Sequence, residues 1–117
     1  MNGPEDRYMD VGGIRTRYWD EGKADGRPVL LIHGLGDSVE RWTLTLPALT
    51  PDHRVVALDL VGYGHTDKPK DAPYTFAYFA DFVRRAMETL DIQEGAVIGQ
   101  SLGGGIAIKL AERVPER

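Results

Sequence analysis

The 117-residue sequence predicts an α/β fold: a three-layer αβα arrangement around a mostly parallel sheet, opened by an N-terminal β-hairpin. Three observations predict it. Continuous apolar runs of strand length stand at Val29-Leu30-Leu31-Ile32, Val55-Val56-Ala57-Leu58 and Ala96-Val97-Ile98, as strands covered on both faces require. Segments with apolar residues at helical spacing alternate with them, so right-handed crossovers put helices on the two faces of the sheet. Ahead of them, two short strand-like stretches flank Gly12-Gly13.

Taken in order, Tyr8 to Val11 and Ile14 to Trp19 form the hairpin, because paired glycines accept positive φ at both central turn positions. Asp20 to Pro28, rich in charge and glycine, reads as a loop before the first buried strand. Ser38 is placed to cap a helix in which Trp42, Leu46 and Leu49 recur and Pro47 limits the length. The second buried strand, Val55 to Leu58, leads into an aperiodic loop from Asp59 to Lys70. Thr75 caps a helix whose stripe of Phe76, Phe79, Phe82 or Val83, Met87 and Leu90 lies opposite Asp81, Arg84, Arg85 and Glu88. The aromatic residues Phe76, Tyr78, Phe79 and Phe82 read as packing rather than as a ligand pocket. The third buried strand ends near Ser101, where a helix carrying Leu102, Ile106 and Leu110 begins and Pro115 would stop it.

Composition narrows the function. With 42% hydrophobic and 27% charged residues the chain lies in the ordinary globular range, and its length accommodates one domain. A net charge of −4 with scattered Lys and Arg argues against nucleic acid as a partner. The absence of cysteine removes thiolate chemistry, and three histidines far apart in sequence offer no ligand cluster, so neither a metal nor another cofactor is expected. The polar, acidic start lacks the pattern of a signal peptide and the apolar runs are strand-sized, so the expected location is cytoplasmic, with no membrane association.

The chemistry gathers at Gly99-Gln100-Ser101-Leu102-Gly103, a Gly-x-Ser-x-Gly pattern in which a serine sits on a sharp strand-to-helix turn. So tight a turn brings the residues two before and two after the serine together, and a Cβ at either place would clash. Gly104 and Gly105 let the helix approach the sheet. At the positive end of a helix, the Ser101 hydroxyl is suited to covalent catalysis. The plainer reading is a capping serine in a glycine-rich turn.

Together Val29 to Gly36, Asp59-Leu60-Val61-Gly62-Tyr63-Gly64-His65-Thr66-Asp67-Lys68-Pro69 and Gly99 to Gly105 resemble the amino-terminal part of the α/β-hydrolase fold, over about Tyr8 to Arg117. The resemblance implies a serine-dependent hydrolase acting on an ester or a related acyl or carbon–carbon bond of a small molecule. It implies strand order one, two, four, three, five, so that the strands ending at His33 and Gln100 are neighbours. An open α/β sheet places its ligand crevice at such a point. By resemblance, the backbone N–H groups of Leu35 and Leu102 form the oxyanion hole, with Gly36 as the alternative donor. His33 and Gly34 shape that loop, and Gly99, Gln100 and Gly103 support the serine. His33 is then structural rather than a general base, as are His53 and His65, and Asp59 organises its loop by accepting backbone hydrogen bonds.

The resemblance also implies that residues 1–117 are the N-terminal portion of one domain, without the cap and the C-terminal half. Chain order in the fold is Ser, then acid, then His, so the triad is incomplete here and weak esterase turnover at most is expected. The strand before Ser101 would become a sheet edge and favour self-association. Serine at position 101 argues against the related epoxide hydrolases and haloalkane dehalogenases, which use aspartate there. Two readings from other classes compete. A dinucleotide-binding half domain would use Gly34, Gly36 and Asp59, but Val39 stands where the fingerprint needs glycine or alanine. A non-catalytic interaction protein would keep the fold without the chemistry.

Overall fold

The computed structural model describes residues 4–34, 36–100 and 102–113. Five strands form one sheet in the order β1-β2-β4-β3-β5. Strands β1 (Arg7–Val11) and β2 (Ile14–Gly22) make the expected hairpin, with φ of +56° at Gly12 and +90° at Gly13. β2 also pairs antiparallel with β4 (His53–Leu58), and from there the sheet is parallel through β3 (Arg27–Ile32) to β5 (Ala96–Gly99). The expected strand order and the adjacency of β3 and β5 are both present.

Period-two alternation divides the sheet's apolar residues between two cores. Leu30, Ile32, Val56 and Leu58 face α2 (Phe76–Thr89) and α3 (Leu102–Arg113), packing with Phe79, Phe82, Val83, Met87 and Ile106. Val29, Leu31, Val55 and Ala57 point the other way, onto Trp19, Val39, Trp42 and Leu46. Helical segments therefore cover both faces, the third layer being a 3₁₀ turn (Val39–Trp42) and the single-turn helix α1 (Leu46–Leu49). No described helix is long and apolar enough to cross a membrane.

Three expectations are revised. The segment from Ser38 to Leu49 is not one helix but a 3₁₀ turn and a separate α-turn that begins at Leu46-Pro47. Ser38 does not cap it: its hydroxyl donates to Glu40 Oε1 at 2.6 Å, and the Val39 N–H is taken by Asp59 Oδ1 at 2.8 Å. The cap thus comes from across the fold. Strand pairing extends farther into Asp20 to Pro28 than charge and glycine suggested, because β2 runs to Gly22 and β3 starts at Arg27. Phe76, assigned to packing, is half exposed at the start of α2 and lies over Gly105 of α3.

The cap of α2 is as expected, with Thr75 Oγ1 accepting from Tyr78 N–H at 3.1 Å. At its other end Ile92 N–H reaches Met87 O at 2.8 Å and Asp91 N–H reaches Glu88 O at 3.1 Å, the two bonds of a Schellman motif. Asp91 takes φ of +56° to make them.

Candidate active site at the ends of β3 and β5

The carboxyl ends of β3 and β5 meet, Ile32 pairing with Gly99. Gln100 N–H continues the pairing to Ile32 O at 3.1 Å, and Gly103 N–H closes back onto Gln100 O at 3.0 Å. Strand therefore gives way to helix within a few residues. The glycines on either side are a steric necessity. A Cβ on Gly99 would overlap the carbonyl oxygen of Gly103, and a Cβ on Gly103 would overlap that of Ile32 and stand 2.8 Å from that of His33. The first residue of α3 is Leu102, whose N–H belongs to the open end of the helix. Ser101 and Leu35 lie outside the described residues.

Across from this turn, the loop leaving β3 is fixed by its histidine. The His33 ring is fully buried; Nε2 accepts from Leu60 N–H at 3.0 Å, so the proton sits on Nδ1 and is donated to Gly34 O at 2.8 Å. Both ring nitrogens are thereby engaged, and burial pushes the imidazole pKa below its ordinary value. A neutral histidine so occupied is a loop brace rather than a base. Gly34 and Gly36 follow, and Asp37 N–H bonds to Gly34 O at 3.2 Å to close the turn.

Asp59 ties the segment after β3 to the loop after β4. Its fully buried carboxylate accepts from Val39 N–H (2.8 Å), from His65 N–H (2.8 Å) and from Arg17 Nε (2.7 Å). Arg17, also buried, continues to Glu40 through two bonds of 2.7 and 2.9 Å and to Asp6 at 3.5 Å. Beside the Arg17 guanidinium the Glu40 carboxyl is held down to about 2, while Arg17 is itself raised by Asp59 and Glu40 against the cost of burial.

Sequence reasoning did not single out Arg17. The available signal was period two: Arg17 stands two residues before Trp19 on β2, on the face that Trp19 buries. Arg41, whose Nε reaches both Asp37 Oδ2 at 3.0 Å and Gln100 Oε1 at 3.2 Å, was missed as well, since nothing local in the sequence joins residues so far apart. His53 lies at the far end of β4, its ring against Leu49 O. Among the described residues, no group of three or more His, Asp or Glu is placed to hold a metal ion.

A family model described as "alpha/beta hydrolase fold" matches residues 27–117. The chain belongs to the α/β-hydrolase-fold family. Among relatives of this α/β-hydrolase chain, 2-hydroxymuconate semialdehyde hydrolase of Pseudomonas sp. (strain CF600) is 38% identical over 100% of the chain and 44% of its own length. The dihydrolipoyllysine-residue acetyltransferase component of the acetoin cleaving system of Cupriavidus necator is 41% identical over 95% of the chain and 29% of its own length. Among solved structures, the meta-cleavage product hydrolase of Pseudomonas fluorescens superimposes with a TM-score of 0.88 at 39% identity, over 95% of the chain and 41% of that structure. The α/β-hydrolase chain thus spans less than half the length of each.

Proposed function

We propose that this chain carries the nucleophile and the oxyanion hole of a serine-dependent hydrolase that acts on a small molecule. Ser101 is the nucleophile, and the backbone N–H groups of Leu35 and Leu102 hold the oxyanion, with Gly36 as the alternative to Leu35. The observation that carries the reading is the close approach of Gly103 to the end of β3, where an added Cβ would meet the Ile32 and His33 carbonyls. Gly103 stands two residues after Ser101 in sequence, and the loop assigned the second donor leaves β3 at His33, which supports pairing the two.

In the reaction, Ser101 Oγ bonds to the substrate's carbonyl carbon while its proton passes to a base. The carbonyl π electrons move onto oxygen, where the two N–H groups stabilise the charge; loss of one such donor typically costs about 10²–10³ in rate. Collapse expels the leaving group, which takes the proton, and water then releases the acid and restores the serine. The base and its orienting acid are the triad histidine and carboxylate that the family's chain order puts after the serine, in a longer protein of which these residues would be the first part. The 2-hydroxymuconate semialdehyde hydrolases among the relatives favour a carbon–carbon bond next to a carbonyl as the bond cleaved, with simple esters as the alternative.

The test is the intact mass of the protein expressed from its full coding sequence, before and after a fluorophosphonate probe. Stoichiometric labelling that Ser101→Ala abolishes is the expected result. Labelling that persists in Ser101→Ala, or no labelling in a protein that contains a later acid and histidine, overturns the reading.

A further inference from the structure

We propose that Arg41 is a positioning residue that holds the candidate oxyanion loop at a fixed spacing from the strand-to-helix turn bearing Ser101. Its Nε–H donates to Gln100 Oε1 at 3.2 Å, and the guanidinium forms an ion pair with Asp37, Nε to Oδ2 at 3.0 Å. Each partner belongs to one of the two loops. Asp37 closes the turn after Gly34, and its Oδ1 accepts Ser38 N–H at 3.0 Å. Gln100 is bound through its main chain to Ile32 and to Gly103, so its side chain reports the position of the turn.

The anchor of the arginine is itself fixed. Arg41 N–H donates to Ser38 O at 3.1 Å, and the residues before it are tied to the buried ion cluster, Val39 by Asp59 and Glu40 by Arg17. Its guanidinium therefore extends from an anchored turn toward Asp37 and, at the end of β5, Gln100.

Energy separates this role from a structural one. The Arg41 and Asp37 side chains are 46% and 32% exposed, and exposed pairs contribute little to global stability. An oxyanion hole, by contrast, is sensitive to displacements well under 1 Å, because its donors must meet the charge where it develops. Loss of Arg41 should leave folding intact and lower reactivity. The catalytic part of the proposal rests on Ser101 being the nucleophile, whereas the coupling of the two loops does not.

The experiment compares wild type with Arg41→Met, Arg41→Lys, Gln100→Leu and the double variant Arg41→Met/Gln100→Leu, all in the protein expressed from its full coding sequence. Amide hydrogen exchange is read at residues 36–38 and 100–103, together with thermal unfolding and the rate of fluorophosphonate labelling. In Arg41→Met and in Gln100→Leu we expect exchange in both loops to accelerate about tenfold, labelling to slow about tenfold and Tm to move by less than about 2 °C. Lysine should restore most of the rate, and the double variant should be no worse than either single one. Unchanged exchange in Arg41→Met, or unchanged labelling in it where wild type labels, overturns the proposal. So does a rate loss that follows Tm and is not rescued by lysine. If wild type does not label but exchange accelerates in both loops of Arg41→Met, the Ser101 reading fails and the coupling by Arg41 stands.

Discussion

Asp59 bonds three partners with two buried oxygens, and each holds a different piece of the molecule: the 3₁₀ turn through Val39, the following loop through His65, and β2 through Arg17. Removing the Arg17 charge alone would strand a carboxylate in the core, which is costlier than never having buried the pair. His33 sits beside this cluster as a neutral ring, and its pKa is lowered in the folded state. The unfolded chain then binds the proton more readily, so stability is fully present above the unfolded pKa of about 6.5 and declines as pH falls from there toward the folded value. Glu40 acts in the same direction at lower pH, from 4.5 down to about 2. Urea unfolding at pH 7 and pH 5 should find the protein less stable at pH 5, and His33→Asn should flatten that difference; equal slopes in the two proteins would remove His33 as the cause. The Asp59 role was legible because an acid that ends a strand before a glycine-rich loop has nearby amides to accept from. Its arginine partner was not, because the contact joins two strands and no local spacing encodes it.

At the scale of elements, the three apolar runs became strands and the α2 stripe became a helix. Burial followed for two of the runs only: β5, expected as a third buried strand, alternates exposed and half-buried residues at the edge of the described sheet. The Ser38 segment was misread because a capping residue is a local signal, and here the Ser38 hydroxyl goes to Glu40 Oε1 while the first amide is bonded by an acceptor twenty positions away in sequence. The end of α2 offers a direct check. Asp91 adopts a left-handed conformation that favours glycine and brings a carboxylate to the helix's negative end. Asp91→Gly should stabilise the protein by about 0.5–1 kcal/mol, read as a Tm rise of roughly 2–5 °C. A fall in Tm would mean that the aspartate side chain contributes more there than its backbone costs.

For the whole molecule, the feature that matters is what lies outside β5. Its described sheet neighbour is β3 alone, Ile98 is 41% exposed on the face that Leu31 shares, and Ile108 of α3 is 66% exposed. An apolar strand at a sheet edge without lysine or proline is a template for another copy. Expressed as residues 1–117 alone, the chain should sediment as dimers or larger species, and Ile98→Lys should shift it toward monomer; a wild-type monomer in ultracentrifugation would rule this edge out as an association site. The alternation of strands and helices made the layers readable from the sequence, and the resemblance to the α/β-hydrolase fold implied the strand order that the sheet shows. The long-range ties among Arg17, Asp59, Arg41 and Gln100 that hold the site's loops exist only once the sheet has assembled.

That assembly has a timetable written into the strand order. β4 inserts between β2 and β3, so Gly22 must find Arg54 and Val29 must find Ala96 before either strand of the first crossover is fully paired. Only the β1-β2 hairpin closes early; every other pairing waits for chain made later, and the loop-closure cost falls ahead of the reward. A nascent chain would therefore hold β3 unpaired on one side until α2 and β5 have emerged. Until then the strand leading into the candidate oxyanion loop would offer an open edge to a chaperone or a neighbouring copy.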